Sequence, residues 1–425
     1  MGLFEIADSS FDEFHNKRLI TDKIQQRTEK ITDTKLSARN MAHAINEFAL
    51  TTANYHIGVV SFDEKEYEEI DKSVKKILYE KKMLRKSANT ERLYLSRKEQ
   101  GRGITSMVER SETIMVKLLD ALEGTDEKQE ILNNELSNYT RLGAIRFILK
   151  EKYNFDDELF GIKELKEAQH KVKIDKIMVK KMHSLIFTPD EEGQIDDGLS
   201  STWLKYGYLS MAEEATLTKL QDRNIYNAEK KCQRCKKANW SVDHVATNCG
   251  ALLHHAYKIR HDEIVKYIHH KMARRYGLAT HKTVKGYRME SVVANETVKI
   301  KFDMVIRTDV TCPHNRPDLV VMDKKAKKIW IIEVRVSSRP ILAKTECEKK
   351  AKYERLAGDL RSQHPEMEVE VVPIVLSWDG SCTRHIMKHF KKLAMDRTDL
   401  ARIQIITLKR SVDLINADLF DSSSE

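Results

Sequence analysis

Between residues 64 and 85, apolar side chains recur at Tyr67, Ile70, Val74, Ile77 and Leu78. That spacing draws one buried stripe along a helix whose other face is charged. Residues 1–150 read as helical in the same way, interrupted where Gly101 and Gly103 break the pattern and mark a turn. Residues 105–185 hold further helix with mixed charge. The polar, acidic stretch 188–201 reads as a linker or exposed loop. Ser210-Met-Ala-Glu213 is a capping-box signature that opens a helix running towards Lys230. Residues 252–276 are helical again, with Tyr257, Ile264, Tyr267 and Ile268 as inward groups.

From Glu296 the period changes from between three and four to two. Val298, Ile300, Phe302, Met304 and Ile306 alternate with Lys299, Lys301 and Asp303, which predicts a half-buried strand. Residues 319–322 predict a second strand, and 329–336 a third that is apolar enough to be central. A helix over 344–361, a strand over 368–377, a helix over 383–394 and a last strand over 403–408 follow. This αβββαβ order, with crossover helices, implies a mixed sheet covered on both faces. Residues 421–425 are expected to be a disordered tail.

Chemistry enters at Cys232, Cys235, His244 and Cys249, spaced C-x2-C-x8-H-x4-C. Three thiolates and an imidazole are a standard tetrahedral zinc set, and four protein ligands close the site, so the metal is expected to be structural. Lys231, Arg234, Lys236 and Lys237 surround the first pair and help to hold thiolates deprotonated. The competing reading is three unrelated cysteines and a surface histidine. About seventy residues on, Arg316-Pro317-Asp318 precedes a strand, and Glu333 lies in its neighbour. Strands in one sheet lie about 4.8 Å apart, so the two carboxylates can reach one Mg²⁺ or Mn²⁺. Arg335 stands where a restriction-like nuclease would place its lysine; Lys349 and Lys352, on the next helix, can bring an ammonium back. The plainer alternative is that Asp318 caps a turn and Glu333 pairs with a basic neighbour.

The net charge of +9 favours a polyanionic partner, whereas 7% aromatic residues argue against a stacking platform for single strands. Six cysteines in 425 residues are no disulfide framework, which suits a reducing compartment, nuclear or cytoplasmic. No apolar run approaches a membrane span.

The chain resembles the C-terminal part of site-specific non-LTR retrotransposon proteins, those that carry a restriction-like endonuclease after a reverse transcriptase. The matching segments come in family order. Asn54-Tyr55-His56-Ile57-Gly58-Val59-Val60, then Arg92-Leu-Tyr-Leu-Ser-Arg97 through Gly101-Arg102-Gly103, resemble the region just after the polymerase palm. Trp203-Leu204, Gly207, Leu209 and Gln221-Asp222 resemble the linker. The Cys-Cys-His-Cys set is similar to the family's finger. Tyr257, Arg260-His261-Asp262, His269 and Tyr276-Gly277 resemble the segment behind it. Asp309, Arg316-Pro317-Asp318, Ile331-Ile332-Glu333-Val334 and Glu348-Lys349-Lys350-Ala351-Lys352-Tyr353 resemble the nuclease signature.

The resemblance implies a multidomain chain: a helical thumb-like region over 1–105 following a missing palm, a helical linker region over 106–225, a CCHC zinc finger over 226–255, and a restriction-endonuclease-like α/β domain over 256–420. It implies metal-dependent nicking of target DNA, with the element's RNA as a second partner. Asp318 and Glu333 would bind the metal, and Lys349 and Lys352 would be the displaced catalytic lysines. Arg260 and His261 would contact nucleic acid or brace the finger, with Arg316, Lys236 and Lys237 also at the nucleic acid. Polymerase activity is not expected, because neither Asp156-Asp157 nor Asp196-Asp197 has an aromatic residue two positions earlier. Where the family carries an acid beyond the second carboxylate, this chain reads Ser337-Ser338-Arg339, and an arginine there would repel a metal. Two other readings remain: a catalytically inactive nucleic-acid-binding remnant, and a helical interaction protein with a vestigial nuclease fold.

Overall fold

The computed structural model describes residues 12–123, 141–157, 159–190, 193–226, 229–253 and 255–422. It is about 54% helix, with one five-stranded mixed sheet. The chain divides into two compact units, residues 1–187 with 208–222, and residues 188–207 with 223–425. No helix among the described residues is long and apolar enough to cross a membrane.

The first unit is helical: α1 (Glu13–Thr32), α2 (Ala38–Ala44), α3 (Glu64–Glu80), α4 (Met107–Glu123), α5 (Ile145–Tyr153), α6 (Ile162–Met178) and α7 (Met211–Gln221). Asp63 and Glu66 close a capping box at the start of α3, and Tyr67, Ile70, Val74, Ile77 and Leu78 are all buried. One core joins Ile24, Val74, Leu93, Met107, Leu165 and Met211, so the helices before and after residue 105 share a hydrophobic interior. Ser210 and Glu213 form the expected capping box, but α7 ends at Gln221 rather than reaching Lys230.

Buried charge fixes the turn after residue 90. Arg92 donates from Nη1 to Asp222 (2.8 Å) and from Nη2 to Gln221 Oε1 (2.7 Å), and its Nε donates to the Gln100 carbonyl. Arg97 reaches Glu214 at 2.7 Å, and Arg102 joins the same carboxylate. Gly101 permits this path, because a Cβ there would lie 2.1 Å from the Leu95 carbonyl oxygen. Arg92 and Asp222 are both 1% exposed. Asp222→Ala is therefore expected to cost about 3–5 kcal/mol, since it strands a buried guanidinium. Urea unfolding checks this, and Asp33→Ala, which removes the exposed partner of Lys81, should leave the midpoint unmoved.

In the second unit the sheet order is β1 (Val292–Ala294), β2 (Val298–Phe302), β3 (Leu319–Asp323), β4 (Lys328–Ser337) and β5 (Glu368–Ser377). The first four pair antiparallel and β5 lies parallel to β4. A parallel neighbour needs a crossover, supplied here by α9 (Leu342–Lys352) and α10 (Glu354–Gln363). The helix expected over 344–361 is thus two, broken at buried Tyr353. Ile300, Val321, Ile332 and Ile374 pack on one face with α8 (Ala256–Arg275). Val320, Ile331 and Val371 pack on the other with Leu356 and Leu360 of α10. After α11 (Ile386–Lys392) comes α12 (Arg397–Ser422).

One sequence expectation fails here and a second holds only in part, both through burial at α12. Residues 403–408 are not a strand; they lie inside α12. Ile403, Gln404, Ile405, Thr407 and Leu408 are all buried, so the short window between exposed Arg402 and Lys409 shows no polar position to reveal its helical period. Of the stretch 188–201, Thr188, Pro189, Gly193, Asp197 and Gly198 are exposed, as a loop would be, but its end at Leu199–Ser201 is buried. Gln404 donates to the carbonyls of Leu199, Ser200 and Gly380 and accepts from Trp203 N–H, which binds this stretch into the second unit. Of the expected disordered tail, Asp421 and Ser422 continue α12, and the rest lies outside the described residues.

Candidate active site and metal centre

The zinc candidates converge. Cys232, Cys235, His244 and Cys249 place one ligand atom each, all within 4.8 Å of one another. Cys232 Sγ and Cys249 Sγ are 3.9 Å apart, and Cys235 Sγ and His244 Nε2 are 3.3 Å apart. A zinc tetrahedron with Zn–S of about 2.3 Å has sulfur edges of about 3.8 Å, so the cage already has the size of the ion. The Cys232–Cys235 knuckle is a tight ribbon: Lys236 N–H donates to Cys232 O, Cys232 N–H to Ala238 O, and Lys236 takes a left-handed φ of 57°. The Ala238 N–H pulls the Cys235 thiol down to about 6. Burial, reinforced by the neighbouring Cys232 and Cys235, pushes Cys249 up to about 12. Deprotonated together, three thiols this close would repel one another unless a cation lay between them, so the group could hold a divalent metal such as zinc. Lys236 and Lys237 are exposed beside the knuckle.

Side chains from outside the finger hold the ligand loop. The Tyr257 hydroxyl accepts from Cys249 N–H (3.0 Å) and donates to Val245 O (2.7 Å). Asp243, next to ligand His244, receives Trp378 Nε1 (2.8 Å) and Arg223 Nε (3.0 Å), and Arg223 also pairs with buried Asp379. The finger is thus built into the second unit. Sequence reasoning missed Asp243 and Trp378; only the i, i+3 placement of Tyr257 and Arg260 just past the last ligand hinted at such bracing.

Arg260 belongs to that bracing rather than to an open surface. It is buried, donating to Ala246 O (2.8 Å) and Ser411 Oγ (2.9 Å). Of the two roles expected for Arg260, contact with nucleic acid or bracing of the finger, its bonded Nη donors serve the second, and they seat α8 on α12. His261, one residue on, turns its Nε2 to Asp318 Oδ2 at 3.1 Å and its Nδ1 to Asp262 at 3.0 Å. Burial works against its charge, but the Asp318 carboxylate outweighs burial and raises His261 to about 9, so it stays an imidazolium at neutral pH.

Asp318 immediately precedes β3, and Glu333 lies in the middle of β4. The last β3–β4 pair is Leu319 with Ile332, and one further step of that register sets Asp318 opposite Glu333, on one face. Asp318 Oδ2 also accepts Val334 N–H at 2.6 Å. Glu333 is buried, and Lys349 Nζ (2.6 Å) and Lys352 Nζ (3.2 Å) from α9 both reach its Oε1. Burial opposes the charge of Glu333, yet the Lys349 ammonium holds its carboxyl below the usual range. Tyr353 receives Lys352 Nζ and donates its proton to Arg316 O, leaving Glu333 Oε2 buried without a donor. Burial, then the Glu333 and Asp318 carboxylates, keep that phenol protonated.

Arg316 is exposed and pairs with Asp303 at 2.8 Å. Arg339 does not stand at the acids. It is buried against Ser381 Oγ, Asp197 and Thr188 O, and Asp197 supplies its counter-charge, so the repulsion expected from this arginine is removed. Among the described residues the Cys3His set is the one group in which three or more ligand side chains come within mutual reach. Any ion at Asp318 and Glu333 would therefore draw its remaining ligands from water and substrate, the ordinary habit of Mg²⁺. Among the described residues, Asp318 Oδ1 and Glu333 Oε2 are two hard oxygens with no partner in hydrogen-bond geometry, and that donor set fits Mg²⁺ or Mn²⁺. No protein-family model matches the chain, and no curated protein matches it, so the geometry itself carries the functional reading.

Proposed function

We propose that the second unit is a DNA-nicking endonuclease of the restriction-like kind, stabilised by a structural zinc and dependent on Mg²⁺ or Mn²⁺, and that the chain is the C-terminal part of a non-LTR retrotransposon protein. What carries the reading is the meeting of Asp318 and Glu333 in register with two lysines from the crossover helix at the second acid. Asp318 and Glu333 would hold the ion through their unengaged oxygens. Such an ion supplies charge neutralisation at the scissile phosphate and a more acidic bound water. The chain's own part is electrostatic. Lys349 and Lys352 keep Glu333 ionised, and one of them is placed to stabilise charge that develops on the phosphate. His261 holds Asp318 in its orientation, and Tyr353 spans Lys352 and the Arg316 carbonyl.

A second reading is a binder that no longer cuts. It is favoured by the engagement of Asp318 Oδ2 with Val334 N–H and His261, since a structural aspartate would be held in the same way. Supercoiled plasmid separates the two. The parent chain is expected to nick with Mg²⁺ or Mn²⁺ and not with Ca²⁺, and Asp318→Ala to slow nicking by on the order of 100-fold or more. Equal nicking by Asp318→Ala, or none by the parent, removes the enzyme reading. Binding that weakens steeply with salt but never cuts leaves the second.

A further inference from the structure

Between the finger and the sheet lies a cavity of about 350 Å³, lined by Thr247, Tyr257, Lys258, Arg260, His261 and Arg335 among others. Its charge is uncompensated. Lys258 and Arg335 are exposed, and among the described residues neither has an ion-pair partner. Arg260 is a buried cation whose bonded donors go only to neutral acceptors, Ser411 Oγ and Ala246 O, and its Nε is buried with no acceptor at all. A guanidinium left in that condition is costly unless an anion completes it. Burial lowers Arg260 to about 10, and the nearby Arg335 guanidinium pushes in the same direction. The cavity also borders the first turns of α8, a twenty-residue helix whose N-cap His255 makes no side-chain capping bond, so free N–H groups and the positive end of the helix add to the field.

From this we infer that the cavity is a phosphate seat, in which Lys258 and Arg335 grip a backbone phosphate of duplex DNA while Arg260 Nε completes the floor. The inference rests on the nicking function proposed above and adds the point at which the substrate strand is anchored. The cavity borders the acids, because His261 forms part of its wall and touches Asp318 at 3.1 Å. A phosphate held there would therefore neighbour the one that is cut. Arg335, two residues past the second acid, is thus assigned to substrate anchoring rather than to the chemistry.

The test measures DNA binding in Ca²⁺, where cutting does not interfere, as a function of salt. The parent is compared with Lys258→Gln/Arg335→Gln and with Lys324→Gln/Lys325→Gln, a control pair on the β3–β4 turn at the opposite end of those strands. Each phosphate contact contributes about 0.9 to the slope of log K against log salt, so the cavity pair should flatten that slope by roughly 2 and the control pair should not. Zinc content and circular dichroism confirm that the variants are folded. A parental slope in the cavity pair, or an equal loss in the control, overturns the seat while nicking by the parent keeps the function. Inorganic phosphate should compete for the parent's cavity and not for the double variant; competition that is the same in both also overturns it. A parent that neither binds nor nicks overturns both.

Discussion

Glu333→Gln is expected to abolish metal-dependent nicking, with a loss on the order of 1000-fold or more, while the chain stays folded. The substitution keeps the shape and removes the charge. That charge is the counter-ion of Lys349 and Lys352, which are 20% and 31% exposed, and with Asp318 it is what would hold a cation. Lys349→Ala and Lys352→Ala are each expected to cost less than the acid, on the order of 10- to 100-fold, because both ammoniums share Oε1 and one can cover for the other. The double variant should then lose more than the two single losses combined. The pH dependence has a fixed sign. The folded pKa of Glu333 lies below its unfolded value of about 4.3, so its stabilisation is complete above that value and is lost as pH falls through the folded pKa. The parent should therefore lose stability in acid more steeply than Glu333→Gln. Urea midpoints between pH 3 and 7 read this directly, and identical acid limbs in parent and variant would refute the ion pair as a source of stability.

How much of this was legible in the sequence depended on whether the signal was local. The strand over 368–377 and the pattern at 319–322 and 329–336 were readable because strand alternation and short apolar runs are local properties. The register that faces Asp318 to Glu333 follows from those strands and the short turn between them. The stripe at Tyr67–Leu78 was readable for the same reason. What failed was decided by tertiary burial. Residues 403–408 of α12 look like a strand because Gln404 is drawn inward to bond the loop at 199–203, with buried Thr407 bonded to Ile403 O and Ser411 to Trp378 O. Nothing within six residues announces those partners, since the loop lies about two hundred positions from Gln404 and Trp378 lies 33 from Ser411. Arg339 was misjudged likewise: its proximity in sequence to Glu333 suggested repulsion, whereas Asp197 and Ser381 claim it in space. For Arg260 the resemblance left contact with nucleic acid and bracing of the finger both open, and only its burial against Ala246 and Ser411 assigns the bonded donors to bracing.

Loss of Cys249 from the candidate zinc site should have the other large effect. A Cys249→Ser chain is expected to fall from one zinc per molecule to almost none, and its thermal midpoint to drop by roughly 10 °C or more, because structural zinc binding is coupled to folding. The effect should spread beyond the finger for a traceable reason. Cys249 N–H is held by Tyr257, Ala246 O by Arg260, and both side chains sit on α8 within the turn that leads to His261, which grips Asp318. Without the ion, the ligand loop no longer has a fixed surface to offer α8, and the helix start that lines the cationic cavity and orients Asp318 loosens with it. Tyr257→Phe provides the graded comparison. It keeps all four ligands and deletes one hydroxyl that serves two backbone groups, so it should retain zinc and lose only about 1–3 kcal/mol. Metal analysis beside calorimetry checks both. Full zinc content in Cys249→Ser, or an unchanged midpoint after the metal is removed, would show that the loop is held by Tyr257, Arg260 and Asp243 alone and that the cage of sulfurs is no part of the fold.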